Sequence, residues 1–258
     1  MMYTTSTVNP FYAARTQRLV QAPQGQPYKP VYAKLPQAPI NASPVPHLTS
    51  LYHNARAGEY GDRSYPGNCG GNLIKDLLLY FRPSGLVFDP MSGSGTCRDV
   101  CDELGIPSMS WDIHDGFDAC DPEVFSARET FDFIWAHPAY WRQKLYADDA
   151  RDLSRAPTLE DFLRRYGRFI RNCARALKPE GKLVILMGDY SDRKEGFVPL
   201  TWHTKRLAFE SGLTQHCTDI IRFSHGASSS RKVYRSSFIP GLHDTCMVFD
   251  KPADWRLS

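Results

Sequence analysis

No apolar run in this 258-residue chain is long enough to span a bilayer, and the N-terminus lacks a charged-then-apolar leader pattern, so a soluble cytoplasmic protein is expected. Cysteine is scarce and irregular: seven residues, an odd number, with no CxxC pair. That argues against a disulfide framework and against structural zinc, and no metal site is expected. The closest pair, Cys97 and Cys101, falls one helical turn apart, as packing residues do. Acidic residues are missing before Glu59 and again between Asp219 and Asp244, although the net charge is only +3. The first stretch holds Arg15, Arg18, Lys29, Lys34 and Arg56, the second Arg222, Arg231, Lys232 and Arg235. Such segments suit a polyanion such as nucleic acid, or are simply a solvated tail and loop. Regular structure is not expected in residues 1–50, where prolines at 23, 27, 30, 36, 39, 44 and 46 forbid it. This Pro/Gln-rich stretch reads as an extended arm. Its aromatics, Phe11, Tyr12, Tyr28 and Tyr32, suit wrapping the domain or a ligand.

Beyond the arm, residues 51–258 read as one α/β domain. Leu73, Ile74, Leu77 and Leu78 share one face of a helix over 72–81. Leu86–Asp89 is the first strand, followed by a helix from Cys97 to Leu104, and Ser108–Asp112 and Phe131–Ala136 are the next strands. The clearest helix runs over 158–177, with Thr158 as its cap, Asp161 reaching back, and Phe162, Tyr166, Phe169, Ile170 and Cys173 on one stripe. Lys178-Pro-Glu-Gly then breaks the chain before an apolar strand over 182–187. A helix over 200–211 and two closing strands, 215–223 and 244–249, complete the pattern. Alternating strands and helices predict a mostly parallel sheet with helices on both faces, ending in an antiparallel hairpin at one edge.

In such sheets ligands sit beyond the carboxyl ends of the strands. One of those ends carries Asp89-Pro90-Met91-Ser92-Gly93-Ser94-Gly95-Thr96. The loop lacks the lysine of a GxxxxGK[ST] phosphate loop and the GxGxxG spacing of dinucleotide folds, which argues against both. Its glycines let a ligand approach the backbone, and the helix after it offers N–H groups. About twenty residues on, Asp112 ends a short strand where a carboxylate can accept the hydroxyls of a ribose. Phe117 and Asp118 follow, as apolar and polar contacts for an adenine ring.

The loop resembles motif I of the S-adenosylmethionine-dependent DNA amino-methyltransferases, DPFxGSGT, with Met91 in place of the usual aromatic. The resemblance implies a Rossmann-like class I methyltransferase fold and S-adenosylmethionine as cofactor. It extends over residues 60–250. Ile134-Trp135-Ala136-His137-Pro138-Ala139-Tyr140-Trp141 looks like motif IV, [DNS]PP[YFW] after a hydrophobic strand. On that resemblance His137 is the side-chain acceptor for an exocyclic amine, the Pro138 carbonyl the second acceptor, and Tyr140 the ring that stacks on a flipped-out adenine or cytosine. Two departures stand out. Ala139 replaces the second proline, and His137 replaces Asp, Asn or Ser. A histidine accepts only while neutral, so activity is expected to decline as pH falls through the imidazole pKa, ~6.5 for an unperturbed ring. The resemblance also makes Asn68 a candidate contact for the cofactor's amino-acid end.

No segment is large enough to be a separate target-recognition region. What remains for DNA is the arm, the polar loop after Trp141, and the loop over 226–240, with Arg231, Lys232 and Arg235 placed on phosphates and Trp141 at the DNA surface. DNA is the expected partner ahead of RNA. Methylation of RNA or of a protein amide, and an inactive nucleic-acid-binding relative, stay open. So does membership of a restriction–modification pair as against an orphan methylase.

Overall fold

Neighbouring residues of a strand point to opposite faces of the sheet, and that period of two decides the layering of this protein. The computed structural model describes residues 40–53, 58–223, 239 and 241–256. Most of the expected arm, and Arg231, Lys232 and Arg235, lie outside the described residues. In chain order the elements are β1 (Leu51–His53), α1 (Asn72–Phe81), β2 (Val87–Asp89), α2 (Thr96–Leu104), β3 (Ser108–Ser110), β4 (Phe131–Ala136), α3 (Leu159–Ala176), β5 (Leu177–Met187), β6 (Tyr190–Asp192), β7 (Gly196–Val198), α4 (Leu200–Glu210), β8 (Thr214–Gln215), β9 (Ile220–Phe223) and β10 (His243–Asp250).

The main sheet has the order β1-β9-β10-β5-β4-β2-β3, with β8 on β10. Strands β3, β2, β4 and β5 are parallel neighbours. Only β10 among the long strands runs against them, antiparallel to both β5 and β9. On one face Val87, Phe133, Trp135, Val184 and Leu186 pack with Leu73, Ile74, Leu77 and Leu78 of α1 and Val100 of α2. On the other, Phe88, Ile134, Ala136, Leu183, Ile185 and Met187 meet α3 and α4 through Phe162, Tyr166, Phe169, Ile170, Leu207 and Ala208. Both faces of the central strands are therefore covered, which is why they read as continuous apolar runs. This is a Rossmann-like, mostly parallel α/β fold with helices on both faces, as expected. The chain leaves β2 for β3 on one side and returns to β4 on the other, so the topological switch point lies at the carboxyl ends of β2 and β4.

Packing rather than capping holds α1. Neither end has a side-chain cap or a helpful charge, whereas its four apolar residues are almost wholly buried, at ~1.5–3 kcal/mol each. Pro83 stops it, because the residue before a proline is pushed out of the helical region, and Arg82 sits at φ 47°.

Four expectations need revision. The cap of α3 is one-sided: Thr158 accepts from the Asp161 N–H at 3.1 Å, but the Asp161 carboxylate turns to Arg164 and to Arg165, the latter at 2.8 Å. Lys178–Gly181 does not end before β5 but bulges within it, Glu180 taking φ 63° while the register to β4 shifts. The edge beyond the closing hairpin carries one more strand, β1, parallel to β9. The hairpin β6–β7 was also not expected. Residues 40–50 have no helix or strand, yet Val45 is buried and His47 bonds Asp76 of α1 at 2.8 Å.

Candidate active site

The turn after β2 is held from both sides. Asp89 ends the strand almost fully buried, and its carboxylate accepts the Met91 N–H at 3.1 Å. Ser92 N–H donates to the Trp111 carbonyl and Trp111 N–H to that of Asp89, so the loop continues the β2–β3 ladder. Gly93 and Gly95 take φ 46° and 77°, the left-handed region that a side chain resists. At Gly93 a Cβ would lie 2.9 Å from the Tyr65 ring, so the glycine also makes room for that neighbour. Asp112 then clasps the loop: one oxygen accepts Gly93 N–H at 3.0 Å, the other accepts from the His114 backbone and ring. Donation from the His114 ring to the Asp112 carboxylate favours the imidazolium and raises its pKa.

The loop and Asp112 wall one cleft, open to solvent, at the switch point. Asp89, Pro90, Met91, Ser92, Gly93, Ser94 and Thr96 line it, together with Asp112, Phe117, Asp118 and His137. Burial pushes the Asp89 carboxyl up to about 7, with Asp112 adding to the effect. Ser94 and Thr96 share a hydroxyl contact of 2.7 Å at the start of α2. Part of the remaining wall, the segment over 146–153, was not expected from the sequence. Tyr65 and Tyr146 stack there at 5.9 Å, and Arg151, Asp152 and Leu153 follow. Asp152 builds that segment by accepting from the backbones of Tyr146, Ala147 and Ser154. Its spacing of two to Ser154 was the only signal of such a turn.

Two expected cofactor contacts are elsewhere. Asn68 is not part of the cleft wall; its amide donates to the carbonyls of Tyr60 and Asp62 and accepts Gly70 N–H, so it staples the segment that carries Tyr65. Gly95 caps α2 behind the wall.

In the turn after β4, His137 and Ala139 face the cleft while Pro138 is buried and Tyr140 is not in the wall. His137 Nε2 lies 2.9 Å from the Tyr140 hydroxyl. Trp141 is not at a DNA surface. It is fully buried, donates from Nε1 to the Ala156 carbonyl at 3.0 Å and packs on Phe162 and Tyr190. Its backbone takes φ 47°, in the left-handed region. Arg222 is likewise no part of a basic surface: it is buried, and bonds Asp244 at 2.7 Å and the Cys69 carbonyl at 2.9 Å. Among the described residues no cluster of His, Cys, Asp and Glu could hold a metal ion, and no helix is long and apolar enough to cross a membrane.

No family model and no curated protein matches the chain. Solved structures do. A candidate DNA modification methylase of Thermus thermophilus, in complex with S-adenosyl-L-methionine, is 23% identical over 55% of this chain and 56% of that one, with a TM-score of 0.39. The chain thus spans about half of that protein. A SAM-dependent methyltransferase from Archaeoglobus fulgidus is 17% identical over 69% and 93%, with a TM-score of 0.41. The 1,6-didemethyltoxoflavin-N1-methyltransferase of Burkholderia thailandensis, bound to S-adenosylhomocysteine, is 13% identical over 70% and 77%, with a TM-score of 0.43.

Proposed function

We propose that this chain is a methyltransferase that uses S-adenosylmethionine to methylate the exocyclic amine of an adenine or cytosine flipped out of DNA. One observation carries the reading: the Asp89–Thr96 loop and the His137 turn, which the sequence separates by some forty residues, wall the same cleft. The cleft fits the cofactor chemically. Asp89 offers a buried carboxyl for a cationic group, Asp112 an acceptor for ribose hydroxyls, and Ile113, Phe117 and Leu153 an apolar slot for a purine with Asp118 at its edge. When bound, S-adenosylmethionine supplies an electrophilic methyl on a positively charged sulfur.

The chain's own task is to make a poor nucleophile competent. An amine conjugated to a base ring has its lone pair delocalised; acceptors on its hydrogens draw it toward a pyramidal geometry. His137 at the cleft wall and the backbone carbonyls of the turn after it supply such acceptors. Arg231, Lys232 and Arg235 are assigned to DNA phosphates, which position a duplex without reading its sequence.

A second reading keeps the cofactor and changes the acceptor to RNA, a protein amide or a small molecule. It is favoured by the burial of Trp141 and the retreat of Tyr140 from the cleft wall, which remove two aromatic contacts for a base. Transfer of tritiated methyl to DNA, RNA and protein, followed by nucleoside analysis, separates the readings. Label in N(6)-methyladenine or N(4)-methylcytosine of DNA is the expected result. Label confined to RNA, protein or small molecules moves the chain to the second reading, and no transfer at all refutes both.

A further inference from the structure

The outer side of α3 carries charge of one sign. From Phe162 to Ala176 the helix holds five arginines, at 164, 165, 168, 171 and 175, and no lysine, aspartate or glutamate. At 3.6 residues per turn, spacings of four, three and four set Arg164, Arg168, Arg171 and Arg175 within about 60° of one another, on a ridge about 16 Å long. Phe162, Tyr166, Phe169 and Cys173 lie buried on the opposite side. Arg164 and Arg171 are exposed, Arg168 and Arg175 half-buried.

Little on the protein neutralises this ridge. Arg164 shares the first-turn Asp161 with Arg165. Among the described residues, Arg168 and Arg171 form no ion pair. Arg175 donates to the carbonyls of Pro122 and Phe125 and to the Asn172 side chain, which carry no charge. The loop it meets holds Asp118 and Asp121, but their carboxylates accept backbone N–H groups of that loop, at Cys120 and Glu123, both at 2.8 Å. The ridge also starts beside the cleft. β4 and β5 are parallel, so the helix joining them runs back, with its first turn at the carboxyl end of β4. Arg165 donates to the Ala150 carbonyl at 2.7 Å, next to the Arg151–Leu153 segment of the cleft wall.

The kind of polyanion follows from what surrounds the charge. A lipid surface takes up a helix through apolar side chains left free to enter it. Those of α3 are spent on the core, and among the described residues no large exposed apolar side chain belongs to this helix. Guanidiniums suit phosphates, because each planar fork can engage two oxygens of one group. A row of about 16 Å spans about five phosphates along one strand of a duplex. We propose that the arginine ridge of α3 is a phosphate-binding surface for the nucleic acid whose base enters the cleft, with Arg164, Arg168 and Arg171 on its backbone. Such contacts position the nucleic acid and read no sequence.

The assignment rests on the reading of the acceptor as nucleic acid, and its test needs no methyl transfer. Fluorescence anisotropy follows binding of the full chain to a labelled duplex of about 20 base pairs, between about 50 and 200 mM salt. Replacing Arg164, Arg168 and Arg171 together by glutamine is expected to lower affinity at least about tenfold at about 100 mM salt. The slope of log affinity against log salt is expected to fall by about 2 to 3, at about 0.9 per phosphate contact. Replacing the same three by lysine keeps the charge and should keep the slope. Arg168 is half-buried, so Arg164→Gln with Arg171→Gln, both exposed, is the second variant, with a loss of slope of about 2. Affinity for S-adenosylhomocysteine is expected to stay unchanged, which separates a lost phosphate contact from a damaged cleft. An unchanged slope in the double variant overturns the ridge and leaves the methyltransferase reading standing. A wild type that binds neither duplex DNA nor RNA of the same length overturns the ridge and the nucleic-acid reading together. Binding to RNA alone, with the same loss of slope, keeps the ridge and moves the acceptor to RNA. A loss seen on phosphatidylserine vesicles and not on nucleic acid also overturns the proposal.

Discussion

Lowering the pH from about 8 to about 6 is expected to weaken S-adenosylmethionine binding about tenfold, through Asp89 alone. The carboxyl is 3% exposed, and burial raises it to about 7 in the ligand-free protein. A sulfonium and an ammonium placed in the cleft favour the ionised form, so the proton must leave when the ligand arrives. Above about 7 it has already gone; each pH unit below that value costs a factor of about ten in affinity. Isothermal titration in buffers of different ionisation enthalpy should show close to one proton released at about pH 6 and almost none at about pH 8. Asp89→Asn should flatten this dependence and weaken binding at about pH 8 by about 10- to 100-fold, the loss of one charged partner. The same variant separates Asp89 from His114, whose pKa is raised by Asp112 in the same cleft. On stability the sign reverses. An acid whose folded pKa is raised stabilises the fold at low pH and loses that contribution as pH rises through the folded value. Ligand-free Asp89→Asn should therefore be the more stable protein at about pH 8, by up to about 4 kcal/mol. A wild-type affinity independent of pH, or an equal slope in Asp89→Asn, would show that Asp89 does not hold the cationic end of the cofactor.

Trp141→Phe removes the indole donor to Ala156 in a fully buried site, and is expected to cost about 1–3 kcal/mol in urea unfolding while DNA affinity stays unchanged. Weaker DNA binding by this folded variant would return Trp141 to the surface. Replacing Arg231, Lys232 and Arg235 together by alanine should weaken DNA binding and reduce the slope of log affinity against log salt by about 3. An unchanged slope removes them from the phosphates.

The parts of this fold legible in the sequence are those where one physical signal dominates. β4 and the apolar half of β5 are covered on both faces and read as unbroken apolar runs; α3 has an apolar stripe and a Thr158 cap. β1 was illegible because, of three residues, only Tyr52 is buried, and its pairing with β9 joins segments about 170 residues apart. In the site, the glycine loop and Asp112 were read from turn chemistry and spacing, and both line the cleft. The errors share one cause, which is that composition does not reveal a side chain's direction. Trp141 follows Tyr140 directly, yet its indole is fully buried in the core. Asn68 looks like a ligand group, but the carbonyls of Tyr60 and Asp62 claim its amide. Arg222 counted as surface charge until the register of two antiparallel strands set it opposite Asp244.

Whether one cleft holds the cofactor with its reactive end toward His137 is decided by a crystal structure with S-adenosylhomocysteine. The amino-acid end is expected against the Asp89–Thr96 loop, the ribose on Asp112, the adenine between Ile113 and Phe117, and the sulfur facing His137. A ligand bound in the reverse direction, or outside this cleft, would contradict this placement.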